Sequence, residues 1–426
     1  MDSRRQEWRQ GWPTLVGAAL GAAAGISLYS NVAGLFIKPL GEAFGWGRGQ
    51  IALGGVGALI VSLTGPWLGA AVDRYGARPF IFAGGFLFAL TYLMLAAMPG
   101  PFWIYLAIMV FIGVLAGPAT APLVFMRPLV SAFDHGRGLA LAIGISGNAF
   151  VAIAVLPLLQ HVIAVWGWRA GFAMMAPIAL IMGLGSWYFL GREARKPKPA
   201  ADASPAPTDV TTGASFRQAL GDGRFWLMAV CMIAVSVAIG AFATQFQPLL
   251  SDRGVPGATA ALLGSWYVAC IVTGRLVCGV LLDRLWAPGV AFFAMALPIA
   301  GASVFLFPDV PLSLLVGGAT LIGLSQGSDG DVLAFFVARY FGLRSYGTIM
   351  GLLGLIAGLS GVAGAVLGGV IFDRNGDYDL MFWIVVGLSG IAATSMLASG
   401  LLKGPQYAPP PPVVIEEIAT EMSPVG

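Results

Sequence analysis

Apolar residues fall along this chain in long blocks rather than in the short alternations of a water-soluble fold. Twelve blocks, at roughly 14–37, 50–72, 79–98, 102–126, 138–162, 168–190, 225–249, 258–282, 287–307, 312–336, 347–372 and 379–402, are each of a length that crosses a hydrocarbon core as a helix. Two stretches break the pattern. Residues 195–215 are rich in Pro, Ala, Ser and Thr and lack aromatic residues, as expected of a flexible linker. The tail from Pro405 to Gly426, with the run Pro409 to Pro412 and Glu416, Glu417 and Glu421, has the composition of a disordered segment. The expected layout is an N-terminal segment over 1–13, a six-helix bundle over 14–190, a linker over 191–224, a second six-helix bundle over 225–402 and a disordered tail over 403–426. The predicted class is an all-α integral membrane protein with twelve transmembrane helices in two six-helix pseudo-repeats.

Composition agrees. Of 426 residues, 58% are hydrophobic and 10% charged, and the mean hydropathy is +0.84, far outside the range of a soluble domain. The 23 Lys and Arg residues are unevenly placed: with a cytoplasmic N-terminus, 17 lie on the inner side and only Lys38, Arg48, Arg169, Arg253 and Arg374 on the outer, leaving Arg275 within the membrane. The positive-inside rule then puts both termini in the cytoplasm and the chain in the cytoplasmic (inner) membrane. The net charge of +3 belongs to lipid headgroups and does not imply nucleic acid. The charged start Met1–Gln10 leads into a block too long for a secretory signal, so the first helix is expected to be retained. Cys231, Cys270 and Cys278 lie inside blocks and read as packing residues, and His135 and His161 stand apart and form no metal motif. No Walker loop is present, so ATP is not the expected energy source, and no cofactor or catalytic constellation is expected.

Arg275 is the one basic residue in the eighth block. A guanidinium at bilayer depth costs about 2.5–3.5 kcal/mol even on the lenient insertion scale, so it persists where it faces water or a partner. An anion-binding role in a transport path follows as the default reading. The halves also echo one another. Gly69, Asp73 and Arg74, followed by Gly76 and Arg78, close block 2, and Gly279, Asp283 and Arg284 close block 8, the Asp-Arg pairs being 210 residues apart. Phe133 and Arg137 precede Phe341 and Arg344 by 208 and 207 residues. Matching offsets indicate a duplicated six-helix unit with substrate bound between halves near the midplane. In Gly-x-x-x-Asp-Arg the glycine admits a close helix, the aspartate accepts from a helix N-terminus and the arginine pairs with acids or phosphates, together a conformational latch. Gly369, Asp373 and Arg374 repeat the short form on the opposite side.

These features resemble the major facilitator superfamily over essentially the whole chain. Gly11-Trp12, the segment Phe133 to Gly144, Arg275 and the segment Ser328 to Gly347 are similar to the monocarboxylate-transporter-like branch, which includes the oxalate/formate antiporters. The resemblance implies alternating-access transport of small organic carboxylates. Two features depart from it: Asn31 stands where proton-coupled relatives carry a lysine, and Ile271 where they carry an aspartate one turn before the arginine. Block 11 also lacks the lysine of oxalate-type members. One intramembrane cation suits a monoanion better than a dianion.

Charge compensation is then sought in block 10. Arg275 lies 17 residues beyond Ala258, and Asp329 and Asp331 lie 17 and 19 beyond Leu312, all about 25 to 29 Å along their helices. The two aspartates point about 200° apart, so both cannot face one cavity. Burial favours an acid's neutral form and a neighbouring cation its charged form, so a carboxylate competing for Arg275 would let one aspartate take a proton. The alternative role is structural, pairing Arg339, Arg344 or helix ends. Tyr29, Ser30, Asn31, Asn148, Gln245, Gln247, Trp266 and Tyr267 are candidate cavity residues, with Tyr29, Asn31, Asn148, Gln245 and Tyr267 carried forward beside Arg275 as substrate contacts. The expected function is proton-coupled transport of a small monocarboxylate. A carboxylate exchanger, a facilitator or exporter of neutral or cationic compounds, and a non-transporting receptor stand as alternatives.

Overall fold

The computed structural model describes residues 2–402 except 76, 122, 123, 126, 127, 130, 131, 134–139, 141, 142, 145, 194–212, 308, 309 and 343, and leaves aside the side chains of 2–6, 65–73, 77, 191–193 and 283. The helices are α1 Asp2–Ala23, α2 Ile26–Val32, α3 Gly34–Phe44, α4 Arg48–Ala52, α5 Val56–Tyr75, α6 Ala77–Ala97, α7 Phe102–Phe111, α8 Gly117–Ala119, α9 Gly147–Glu193, α10 Phe216–Leu220, α11 Gly223–Asp252, α12 Gly257–Arg284, α13 Ala287–Val304, α14 Leu312–Phe341, α15 Tyr346–Asn375 and α16 Asp379–Leu401. The twelve apolar blocks, as far as their residues are described, lie on these helices or on broken helices. Among the described residues eight helices are long and apolar enough to cross a membrane, or nine if the bent pair Glu7–Ala23 and Ile26–Val32 is one span. Two further blocks fall outside that count for visible reasons. Helix α14 carries Asp329, Asp331 and Arg339, and α4 joins α5 through a 3-10 turn at Leu53–Gly55.

The breaks have local causes. Helix α9 holds two blocks, divided at Gly167, whose φ of 81° is one that a side chain would strain. The 51° bend between α1 and α2 falls next to Gly25, where a Cβ would collide with Thr120. Thr120 Oγ1 accepts the Ile26 N–H at 3.3 Å, taking up a backbone donor that the bend releases in a place without water. At the start of α11, Asp222 accepts the Arg224 N–H at 2.9 Å and holds its guanidinium at 2.7 Å. Burial pushes this carboxyl up, but Arg224 pulls it further down, below the usual carboxylate range, so the cap is charged at neutral pH.

Helices α1, α6 and α9 pack together in the first half, and α11 packs with α15 and α16, α12 with α14 and α13 with α16 in the second. The first core centres on Phe88, Tyr92 and the stacked pair Phe36 and Phe172, 3.7 Å between centroids. The second divides into a cluster around Phe242, Phe305 and Phe382 and another around Phe225, Phe336 and Phe341. Lipid tails are as apolar as leucine, so close backbone approach rather than hydrophobic exclusion must hold such helices together. Gly85 on α6 and Gly183 on α9 show this, because a Cβ on either would come within 2.7 Å of the other's Cα. Gly183→Val is expected to force α6 and α9 apart and destabilise the fold by roughly 1–3 kcal/mol. The check is thermal unfolding in detergent, and an unchanged midpoint would refute the account.

Candidate functional site

Among the described residues the halves meet along a seam that closes at one end only. The face where the chain starts is termed the N face. Helix α15 runs away from it with Gly347, Gly351, Gly354, Gly358, Val362, Ala365 and Gly369 along one stripe, three or four residues apart. Towards the opposite face this stripe touches the first half: Gly358 is 3.2 Å from Ser62 Oγ measured from an added Cβ, and Val362 and Val370 lie against Gly55 and Gly49. Added Cβ atoms at Gly347, Gly351 and Gly354 would meet nothing within 4 Å among the described residues. Helix α12 behaves alike. Ser265 Oγ donates to Ile153 O on α9 at 2.9 Å and Val268 is buried in the first half's core, whereas Arg275 and Gly279, further towards the N face, lie in more open surroundings. Among the described residues the seam is therefore open towards the N face.

Arg275 sits at the start of that opening. Its Nε lies 3.7 Å from Asp331 Oδ2, with the two side chains 30% and 42% exposed, enough for water and a small anion to reach both. Backbone contact sets the spacing: a Cβ on Gly327 would be 2.8 Å from the Arg275 N, so α12 and α14 run nearly touching and their side chains one turn on meet. Asp329 faces elsewhere. It lines a small internal space with Met228, Cys231, Met232, Met295 and Met396, inside the second half. The opposed directions expected for the two aspartates are what the helix delivers.

Deeper along the seam lies a cavity of about 150 Å³. Its wall includes Tyr29, Ser30 and Phe36 from α2 and α3, Tyr105 and Met109 from α7, and Thr244 from α11. The Tyr29 hydroxyl donates to Met109 Sδ at 3.5 Å and that of Tyr105 to Ile51 O at 3.0 Å. Among the other candidates, Asn31 and Asn148 are partly buried. Gln245 is fully buried, and neither of its amide atoms has a hydrogen-bond partner among the described residues. Tyr267 packs with Phe242 and Phe246 in the second half and donates to Gln326 Oε1. Trp266 is 49% exposed and reaches Thr320, and Gln247 donates to Ala260 O at 3.1 Å.

Beyond the cavity the opposite face is shut by charges that sequence reasoning did not bring together. Asp252, at the end of α11, takes Arg48 Nη2 at 2.6 Å and Lys38 Nζ at 3.5 Å from the first half. Lys38 also donates to Ser251 Oγ at 3.0 Å, and Arg48 stacks 3.6 Å over the Phe372 ring. Tyr378 donates to Asp252 at 2.8 Å and accepts from Arg48; burial pushes its hydroxyl well above the ordinary range, so it keeps the proton that this bond needs. Each of these charges ends an apolar block and reads singly as a solvated turn.

Of the residues in the Asp-Arg echoes, Arg74, Arg78 and Arg284 are exposed, Arg78 lying over the Trp187 ring at 4.8 Å. Gly279 has open space around it among the described residues. The side chains of Gly69, Asp73 and Asp283, and all of Gly76, lie outside the described residues, as does Arg137.

Helices crossing a membrane, with a cavity lined from both the first and the second half of the chain, fit a transporter rather than an enzyme. The model of the Major Facilitator Superfamily matches residues 15–327, and the chain belongs to that family. Monocarboxylate transporter 11 of Homo sapiens is 28% identical over 390 residues, covering 87% of this chain and 79% of that protein. Monocarboxylate transporter 13 of Rattus norvegicus is 24% identical over 393 residues, covering 91% and 88%. The fold is shared with a bacterial homologue of the human lysosomal transporter Spinster in an inward-facing, occupied conformation, at a TM-score of 0.66 and 18% identity over 91% of this chain and 93% of that one.

Proposed function

We propose that this protein is a secondary transporter of a small organic monocarboxylate, working in the cytoplasmic membrane by alternating access and driven by protons through Asp331. The carrying observation is the Arg275–Asp331 pair at the mouth of the seam. A carboxylate arriving from the N face meets the guanidinium first, where a two-pronged, charge-assisted pair displaces the aspartate. Asp331, left without its counter-ion, then takes a proton, and the pair of substrate and proton crosses without net charge. The carbon body faces the apolar wall of the cavity, with the hydroxyls of Tyr29, Ser30 and Thr244 to orient it. The N face is read as cytoplasmic on the excess of Lys and Arg there. The names of the monocarboxylate transporter relatives support the substrate class.

The test is uptake of a panel of radiolabelled short-chain and aromatic carboxylates into proteoliposomes, with and without an inward proton gradient. Gradient-stimulated uptake of monocarboxylates is expected. Uptake driven only by internal carboxylate would make the protein an exchanger, and a folded protein that moves no carboxylate would overturn the anion reading.

A further inference from the structure

The motif Gly369–Asp373–Arg374 takes no part in the function proposed above, yet Asp373 makes a two-pronged polar contact between the halves at the face opposite the N face, and Gly369 packs beside it. Asp373 Oδ1 accepts the backbone N–H of Arg48 and Oδ2 that of Gly49, both at 2.9 Å. These are the first two residues of α4, whose leading N–H groups have no partner within the helix. A carboxylate there also meets the positive end of the helix dipole. Asp373 belongs to the second half of the chain and α4 to the first, so this cap exists only while the halves are together at that face.

The glycines make the approach possible. A Cβ on Gly369 would lie 2.5 Å from Gly49 N and 2.6 Å from Arg48 C, and one on Gly47 would lie 2.6 Å from Asp373 Oδ2. The obstructing atoms at Gly369 are backbone and cannot swing aside. Arg374, the third letter, is exposed. The chemistry is thus that of a latch made from a glycine and an aspartate, the first two letters of the short motif that also occurs at Gly69–Asp73.

We propose that Gly369 and Asp373 form a latch at the face opposite the N face, in which a carboxylate from the end of α15 caps the start of α4 and holds that face closed. The latch sets the balance between the two conformations of the transport cycle and touches no substrate. Its rupture exposes the cavity to the opposite face, and its closure commits the cavity to the N face. It is independent of the substrate and of Asp331, so its test needs neither.

Spin labels at Glu42→Cys and Leu380→Cys, exposed positions on the first and second halves at this face, report its opening by pulsed electron-electron distance measurement in nanodiscs. The native Cys231, Cys270 and Cys278 are 3%, 5% and 3% exposed and give little background. Asp373→Ala removes both acceptors and is expected to raise the ratio of the long to the short distance about five-fold, the usual weight of a lost helix cap. Gly369→Ala, which leaves the carboxylate but forces the backbones apart, is expected to shift the ratio the same way, and Arg374→Ala to leave it unchanged. A distribution unchanged by Asp373→Ala in a protein that keeps its thermal midpoint would overturn the proposal, as would an equal shift from Arg374→Ala.

Discussion

Arg275→Gln is expected to lower monocarboxylate uptake by about 30-fold or more at sub-saturating substrate. A charge-assisted hydrogen bond contributes roughly 1.5–3 kcal/mol, and glutamine keeps the length of the side chain but neither its charge nor its two-pronged geometry. Arg275→Lys keeps the charge alone and should fall between the two. Folding should hardly change: the Asp331 partner is 42% exposed at 3.7 Å, and ion pairs in contact with water contribute little to stability. The measurement is initial uptake rate in proteoliposomes beside the thermal midpoint of the same preparation. Monocarboxylate uptake by Arg275→Gln at the wild-type rate, with an unchanged midpoint, would remove Arg275 from the substrate path.

The second large effect concerns coupling. Asp331→Asn should abolish stimulation by an inward proton gradient while leaving exchange of internal for external carboxylate in place. Asparagine neither competes with substrate for the guanidinium nor carries a proton, so the affinity for carboxylate should rise and lose its dependence on pH. Asp329→Asn should retain gradient stimulation, because Asp329 faces Met228, Met232, Met295 and Met396 inside the second half rather than the opening. Uptake and counterflow, measured for both variants at matched protein density, separate these outcomes. Loss of stimulation in Asp329→Asn with its retention in Asp331→Asn would move the proton site to the other aspartate.

Much of the fold was readable from the chain because membrane insertion is a local test, applied to about twenty residues at a time. Each of the twelve blocks could be found without knowing what it packs against. Arg275 was legible for the same reason, since one cation in an apolar block is anomalous whatever surrounds it. The opposed directions of Asp329 and Asp331 also followed from helix geometry. The cavity residues Tyr105, Met109 and Thr244 gave no comparable signal, as aromatic, methionine and threonine side chains are ordinary in any span. Tyr267 and Gln245 carried a signal, polarity within a block, that does not distinguish a cavity wall from a bundle interior, and both are buried. The glycine stripe on α15 was present in the sequence, but 60 glycines are spread over the chain and only the packing shows which of them form a seam.

The closure at the face opposite the N face was the least legible feature. Lys38, Arg48, Asp252 and Tyr378 come from four separate segments, and Asp373 meets Arg48 and Gly49 across 325 and 324 residues of chain. By itself the sequence determined what each segment does alone: which stretches enter a bilayer, where a buried charge demands a partner, and which family pattern the segments repeat. The tertiary structure alone decided which aspartate meets Arg275, where the two halves touch and which face is shut. Such contacts depend on rotation and depth of one helix against another, set by backbone approach at glycines such as Gly327 and Gly369. No local rule carries that information, because the hydrophobic demand of a span is met equally well at every rotation about its own axis.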